Sequence, residues 1–148
     1  MQSSSLMSII QEKYAEKANE LLIPPPVFYE MEGEFVALDL EEHTLSMRFP
    51  VLKRYLNPYR SMQGGMIAAA VDNTLGPLSM LVASSNVTRR LEMKYIRPVD
   101  LESSYITVVG KLVEQNTRDL IFSAEVRDSK GNLMAKARAT HWILETPE

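Results

Sequence analysis

Near the start of the chain, apolar residues recur at helical spacing: Leu6, Ile9, Ile10, Tyr14, Ala18, Leu21 and Leu22. Gln11, Glu12, Lys13, Glu16 and Lys17 fall on the other side, so the pattern predicts an amphipathic helix, with Ser8 and Gln11 as a weak capping box. Pro24-Pro25-Pro26 ends it, because proline lacks the amide donor and disfavours helical backbone in its predecessor. A short extended segment is expected at Val27–Met31. Phe35–Leu40 and Thr44–Phe49 then read as a hairpin around Glu41-Glu42-His43. In the second run Leu45, Met47 and Phe49 alternate with Thr44, Ser46 and Arg48, the two-residue period of a half-buried strand.

The middle changes period. Asn57-Pro58-Tyr59-Arg60-Ser61-Met62-Gln63-Gly64-Gly65 is rich in turn residues and leads into the apolar run Met66–Val71. That run is helical by propensity and apolar nearly all round, so the helix it predicts from Gly65 to Leu75, at least ~15 Å long, should be buried. Gly76-Pro77 should kink or end it, with Leu78–Ala83 adding a further turn or two. Thr88–Arg97, Ser104–Glu114, Asp119–Arg127 and Leu133–Leu144 are long and rich in β-branched or aromatic residues. Asp128-Ser129-Lys130-Gly131 supplies a hairpin turn between the last two. The order is α-β-β-α-β-β-β-β. Consecutive hairpins imply a mostly antiparallel sheet with one buried helix on its inner face, a single α+β domain without internal repeats.

Composition narrows the chemistry. The 148 residues carry 16 Lys+Arg, 19 Asp+Glu, two His and no Cys. That length suits one domain able to fold without disulfide or metal staples. Absent thiols exclude zinc cages, iron–sulfur clusters and Cys nucleophiles, and two histidines make a His-rich metal site improbable. A net charge of −3 argues against general nucleic-acid binding. Nine methionines suit permissive apolar pockets. No secretory signal is evident, and Asp72-Asn73 divides the apolar runs Met66–Val71 and Leu75–Val82, so neither reaches a membrane span. A cytoplasmic protein is expected.

No G-x-S-x-G, H-E-x-x-H or phosphate-loop motif is present, and Gly64-Gly65 alone does not define a nucleotide site. His43, in a turn, and His141, in the last strand, read as structural or solvated. Gln63-Gly64-Gly65 at the start of a buried helix offers backbone N–H groups and a positive dipole end to an anion or oxyanion. The plainer reading is a loop-to-helix junction in which glycine only permits tight packing. Asp72 is out of place in an apolar helix, where an unpartnered carboxylate is costly. Either it faces a cleft as base or nucleophile, or Asp72-Asn73-Thr74 caps a second short helix. Gly65 precedes it by seven residues, nearly two turns, which puts both on one face. Asn57 could be only an Asn-Pro turn starter. Arg89, Arg90, Lys94 and Arg97 make one strand basic, as a solvated edge or as a cradle for the phosphates of coenzyme A.

Asn57-x5-Gln63-Gly64-Gly65-x6-Asp72, followed by Val87-Thr88 and Tyr95-Ile96-Arg97-Pro98, resembles the hotdog-fold acyl-CoA thioesterases, nearest to the phenylacetate-pathway type of the 4-hydroxybenzoyl-CoA thioesterase superfamily. The resemblance spans about residues 30 to 145. It implies a sheet wrapped around one central helix over 27–148, with 1–26 as an N-terminal helix and Pro-rich linker. It also implies subunits paired edge to edge as a dimer or tetramer, with active sites at the interface. On that likeness the Gly64 N–H polarises the thioester carbonyl, and Asp72 from the partner subunit is general base or nucleophile. Asn57 holds water or the carbonyl, Thr88 orients water, and Gly65, Arg89, Arg90 and Arg97 bind the CoA ester. Gln63 stands where the family usually has His, and Gln can still donate a hydrogen bond. The implied reaction is acyl-CoA hydrolysis without metal or redox cofactor, CoA being part of the substrate. A non-catalytic acyl-CoA or lipid-binding dimer using the same groove is the alternative.

Overall fold

The computed structural model describes residues 3–144. Helices α1 (Ser3–Lys13), α2 (Pro26–Glu30) and α3 (Gly64–Val82) accompany strands β1 (Glu34–Asp39), β2 (Thr44–Pro50), β3 (Asn86–Tyr95), β4 (Tyr105–Gln115), β5 (Asp119–Asp128) and β6 (Leu133–Ile143). The strands form one antiparallel sheet in the order β1-β2-β4-β5-β6-β3. The sheet curls around α3, which lies mainly across β4 and also touches β2, β3 and β5. This is the hotdog arrangement that the resemblance implies. The two-residue period holds: Leu45, Met47 and Phe49 of β2 and Leu120, Phe122 and Val126 of β5 are all fully buried.

Close packing of α3 depends on a glycine in the sheet. A Cβ at Gly110 would lie 2.6 Å from Leu75 Cδ2, a distance no side chain can accept, so bare backbone there lets the helix seat.

Three expectations are corrected. α3 runs unbroken through Gly76-Pro77 to Val82, joining the two apolar runs into one 19-residue helix. Burial explains this: Leu75 and Leu78 are fully enclosed, and Ser79 Oγ donates to the Gly76 carbonyl at 2.7 Å. Packing of an apolar helix outweighs the single amide that proline removes. The helix is long and apolar enough to cross a membrane by length and composition, but much of it is buried under the sheet. Second, residues 26–30 are helical instead of extended, since Pro26 sits in the first turn, where its fixed φ is favourable, and Phe28 anchors the turn in the core. Third, α1 stops at Lys13, followed by a single 3-10 turn at Ala15–Lys17. The Lys13 ammonium donates to the carbonyls of Met80 and Ala83, and Tyr14 Oη donates to Met80 O at 3.2 Å. These bonds fasten α1 to the carbonyl end of α3, where a cation is favoured. Ala18 and Leu22, apolar on the helical period, are consequently left exposed.

Candidate active site

At its N-terminal end, α3 presents bare backbone. Gln63 is the N-cap in extended conformation (φ −58°, ψ 138°), and its carbonyl accepts from the N–H groups of Met66 and Ile67 at 2.9 and 3.1 Å. The first-turn N–H groups of Gly64 and Gly65 have no acceptor within the helix and point out from its positive end. The preceding loop is pinned. Asn57 Oδ1 accepts from the N–H groups of Tyr59 and Ser61 at 2.9 and 3.1 Å, and the Gln63 N–H donates to Tyr55 O at 2.8 Å. Asn57 therefore forms a turn, the plainer of its two readings, and that turn sets the position of Gly64. Tyr95 Oη donates to the Gly64 carbonyl at 2.6 Å, and burial raises its pKa, which keeps it a donor. A Cβ at Gly64 would meet Tyr95 Cζ at 3.0 Å, whereas one at Gly65 would meet nothing within 4 Å. A side chain at 64 would thus press on the tyrosine, whereas one at 65 would not. A cavity of about 470 Å³ opens here, lined by Asn57, Gly64, Ile67, Tyr95 and Arg97 among others.

Two turns further along, Asp72 is exposed, in contrast to its buried neighbours Val71, Asn73 and Thr74. It does not cap a second helix, since α3 continues past it. Its Oδ1 accepts a hydrogen bond from Thr88 Oγ1 at 3.0 Å. A bulge in β3 makes that contact possible: the register to β6 shifts between Thr88 and Arg90, so Thr88 opposes His141 while Leu91 opposes Ala139. Residues directly opposite share a face, so the bulge turns Thr88 inward together with Leu91, which strict alternation forbids.

Behind Thr88 lies a residue that strand alternation in β6 could have revealed. His141 shares the inward face with Ala135, Ala137 and Ala139 and is 1% exposed, so it is buried and not solvated. Asn86 Nδ2 donates to the carbonyls of Ser84 and Ser79 at 2.9 and 3.4 Å, which leaves its Oδ1 2.8 Å from His141 Nδ1. Nδ1 must therefore carry the proton. Nε2 lies 3.4 Å from Thr88 Oγ1. Burial lowers the His141 pKa and the nearby Asp72 charge partly offsets this, so the neutral ring is favoured. Thr88 has one proton, and the shorter, charge-assisted contact directs it to Asp72. Asp72 is thus held by the Thr88 hydroxyl, while His141, fixed by Asn86, turns the unprotonated Nε2 toward Thr88 Oγ1.

The basic residues separate. Arg97 lines the cavity beside Gly64, Arg89 stacks over Trp142 at 3.8 Å, and Arg90 pairs with Glu92. Among the described residues, no group of three or more His, Asp or Glu is arranged to hold a metal ion.

Eight residues of helix separate Gly64 from Asp72, about 12 Å. An oxyanion donor must lie roughly 3 Å from the developing charge, so within one chain the two groups cannot serve the same carbonyl. They also line different cavities. Asp72 and Thr88 stand at one of about 310 Å³ between α1, α2 and α3. The chain therefore carries backbone donors at one place and a held carboxylate at another.

Residues 61–135, half of the chain, match the thioesterase superfamily. A protein of Saccharolobus solfataricus named as an esterase is 26% identical over 111 residues, covering 74% of this chain and 78% of its own. A phenylacetic acid degradation-related protein of Ralstonia eutropha, described as a thioesterase, has a similar structure: TM-score 0.76, 25% identity, 88% of this chain and 99% of its own. A Streptococcus mutans protein solved with acetyl-CoA shares the fold at TM-score 0.68 and 20% identity, over 77% of this chain and 91% of its own. With this sheet, this central helix and that match, the chain belongs to the thioesterase superfamily and has its hotdog fold.

Proposed function

We propose that the protein hydrolyses acyl-CoA thioesters in sites assembled from two copies of the chain. The observation that carries this reading is the Asp72 carboxylate, oriented by Thr88 at 3.0 Å and set about 12 Å along its own helix from the donors that must complement it. β3 forms one edge of the sheet, with its outer side unpaired. Its two ends mark the two half-sites, Thr88 against Asp72 and Tyr95 against Gly64. Antiparallel pairing with β3 of a second copy sets the Thr88 end of one strand against the Tyr95 end of the other. Each Asp72 then faces the Gly64 N–H of the partner subunit.

In such a site the partner's Gly64 N–H polarises the thioester carbonyl and receives the oxyanion. Asp72 takes a proton from water as it attacks the carbonyl carbon, or attacks directly to form an anhydride that water then cleaves. The C–S bond breaks, the thiolate takes up the proton, and acid and CoA thiol leave. Thr88 keeps the carboxylate aimed. Gln63 and Asn57 shape the donor loop, Gly65 leaves it open to the ester, and Arg97 provides the nearest cation for a CoA phosphate. Arg89 and Arg90 follow Thr88 on β3. Nothing in this sequence of steps calls for a metal or redox cofactor. The acetyl-CoA bound by the S. mutans structure supports the substrate class.

The test is an acyl-CoA panel with detection of free thiol. Parent protein should release CoA, and Asp72→Ala should lose at least ~100-fold in kcat while its mass in solution is unchanged. Near-parental turnover in that variant would remove Asp72 from the mechanism. Acyl-CoA binding by the parent with no thiol released would favour a non-catalytic acyl-CoA carrier.

A further inference from the structure

We infer that the N-terminal segment, residues 3–28, roofs an acyl-binding cavity beside Asp72 and acts as its length gauge. This rests on the assignment of Asp72 to the acyl-CoA site. The segment lies outside residues 61–135, which carry the family match, so nothing in that match gives it a role.

The cavity of about 310 Å³ has an open end and a closed one. At the open end stand Asp72, Thr88 and Val87, all exposed. At the closed end are Met7, Ile10, Phe28 and Pro77, all buried, the first three contributed by the N-terminal segment. A thioester whose carbonyl sits at Asp72 would direct its acyl chain inward, between this roof and α3.

The lining selects the chemistry of that chain. No Lys or Arg borders the cavity. Away from Asp72 and Thr88 at its mouth, its polar side chains are engaged: Asn73 donates to Val27 O, Ser79 to Gly76 O, Asn86 to Ser84 O, and His141 Nδ1 is tied to Asn86. A hydroxylated or carboxylated acyl group would therefore lose hydration without gaining partners. Two methionines, Met7 and Met80, give an adaptable apolar surface. A cavity of ~150 Å³ already admits a benzene ring, so 310 Å³ takes a neutral arylacetyl group or a straight chain of medium length.

Gly76 gives the seat its width. It falls one helical turn after Asp72 on the same face, it borders the cavity, and a Cβ there would meet nothing within 4 Å. Leucine at this position would project into the seat beside the carboxylate and would favour the helix over glycine.

Two readouts test this, one independent of hydrolysis. By calorimetry with the inert thioethers S-ethyl-CoA and S-octyl-CoA, the parent should bind the octyl compound at least ~10-fold more tightly, and Gly76→Leu should bring the two within about twofold. By thiol release, Gly76→Leu should cut the kcat/KM of octanoyl- and phenylacetyl-CoA relative to acetyl-CoA by at least ~10-fold; loss for only one of them tells chain from ring. Val27→Phe, at the half-exposed rim, repeats the measurement should Gly76→Leu fail to fold. Equal binding of both thioethers by the parent, or an unaltered preference in a folded variant, would overturn the gauge. An octyl preference without turnover of any acyl-CoA would keep the seat and reject hydrolysis.

Discussion

The two ends of the working stretch of α3 are built from opposite materials. At Gly64 the helix offers backbone alone: Tyr95 lies against the glycine, where a Cβ would come within 3.0 Å of its ring, and donates to its carbonyl at 2.6 Å. At Asp72 the helix offers a side chain alone, in mid-helix where backbone groups are paired, and the Thr88 hydroxyl fixes its direction by donating at 3.0 Å. On the proposed mechanism one end supplies donors for a developing negative charge, and the other supplies the base that creates it. About 12 Å of helix keeps them from meeting in one molecule. The proposed site would divide the thioester chemistry between two copies of the chain.

Substitutions at either end probe that division. The largest loss is expected for Asp72→Ala, at least ~100-fold in kcat, because the base has no substitute on its face of the helix. Gly64→Pro removes the donor. Gln63 already has the extended conformation that precedes proline, and proline is tolerated in the first helical turn, although Tyr95 must shift. Steady-state assay should show kcat reduced ~100-fold with little change in α-helical circular dichroism. A loss under threefold would relocate the oxyanion donor. The smallest effect belongs to His141 and is read in stability. Its folded-state pKa is lowered from 6.5, so the unfolded chain takes up the proton first. Stability should be full above about pH 6.5 and fall as pH drops through the folded-state value. Thermal unfolding between pH 7.5 and 5.5 should show a Tm decline of a few degrees that is shallower in His141→Gln. Equal slopes would show that His141 does not titrate on unfolding.

Period and turn chemistry in the sequence locate every strand and the buried helix, because the sheet has one inward face and its alternation is regular. They fail where packing outweighs local preference. Pro77 reads as a helix break, yet the enclosed Leu75 and Leu78 hold the helix together around it. Of the site, Gly64 and Asp72 stand out because each violates its surroundings, one as bare backbone and one as a carboxylate among apolar residues. Alternation in β6 puts His141 on the inward face, but its place beside Thr88 depends on a bulge in β3 that alternation cannot foresee. The roof over the cavity is hidden for a similar reason: only folding brings Ile10 and Phe28, 18 residues apart, to the same wall.

Mixing two inactive variants tests the shared site most directly. Asp72→Ala and Gly64→Pro, unfolded together and refolded at equal concentration, form mixed dimers in which one site receives both defects and the other receives neither. If each site joins Asp72 of one copy to Gly64 of the partner subunit, thiol release should recover to about a quarter of the parental rate, since half the dimers are mixed and each has one intact site. If both groups act within one chain, every site retains a defect, and the mixture should be no more active than the average of its components.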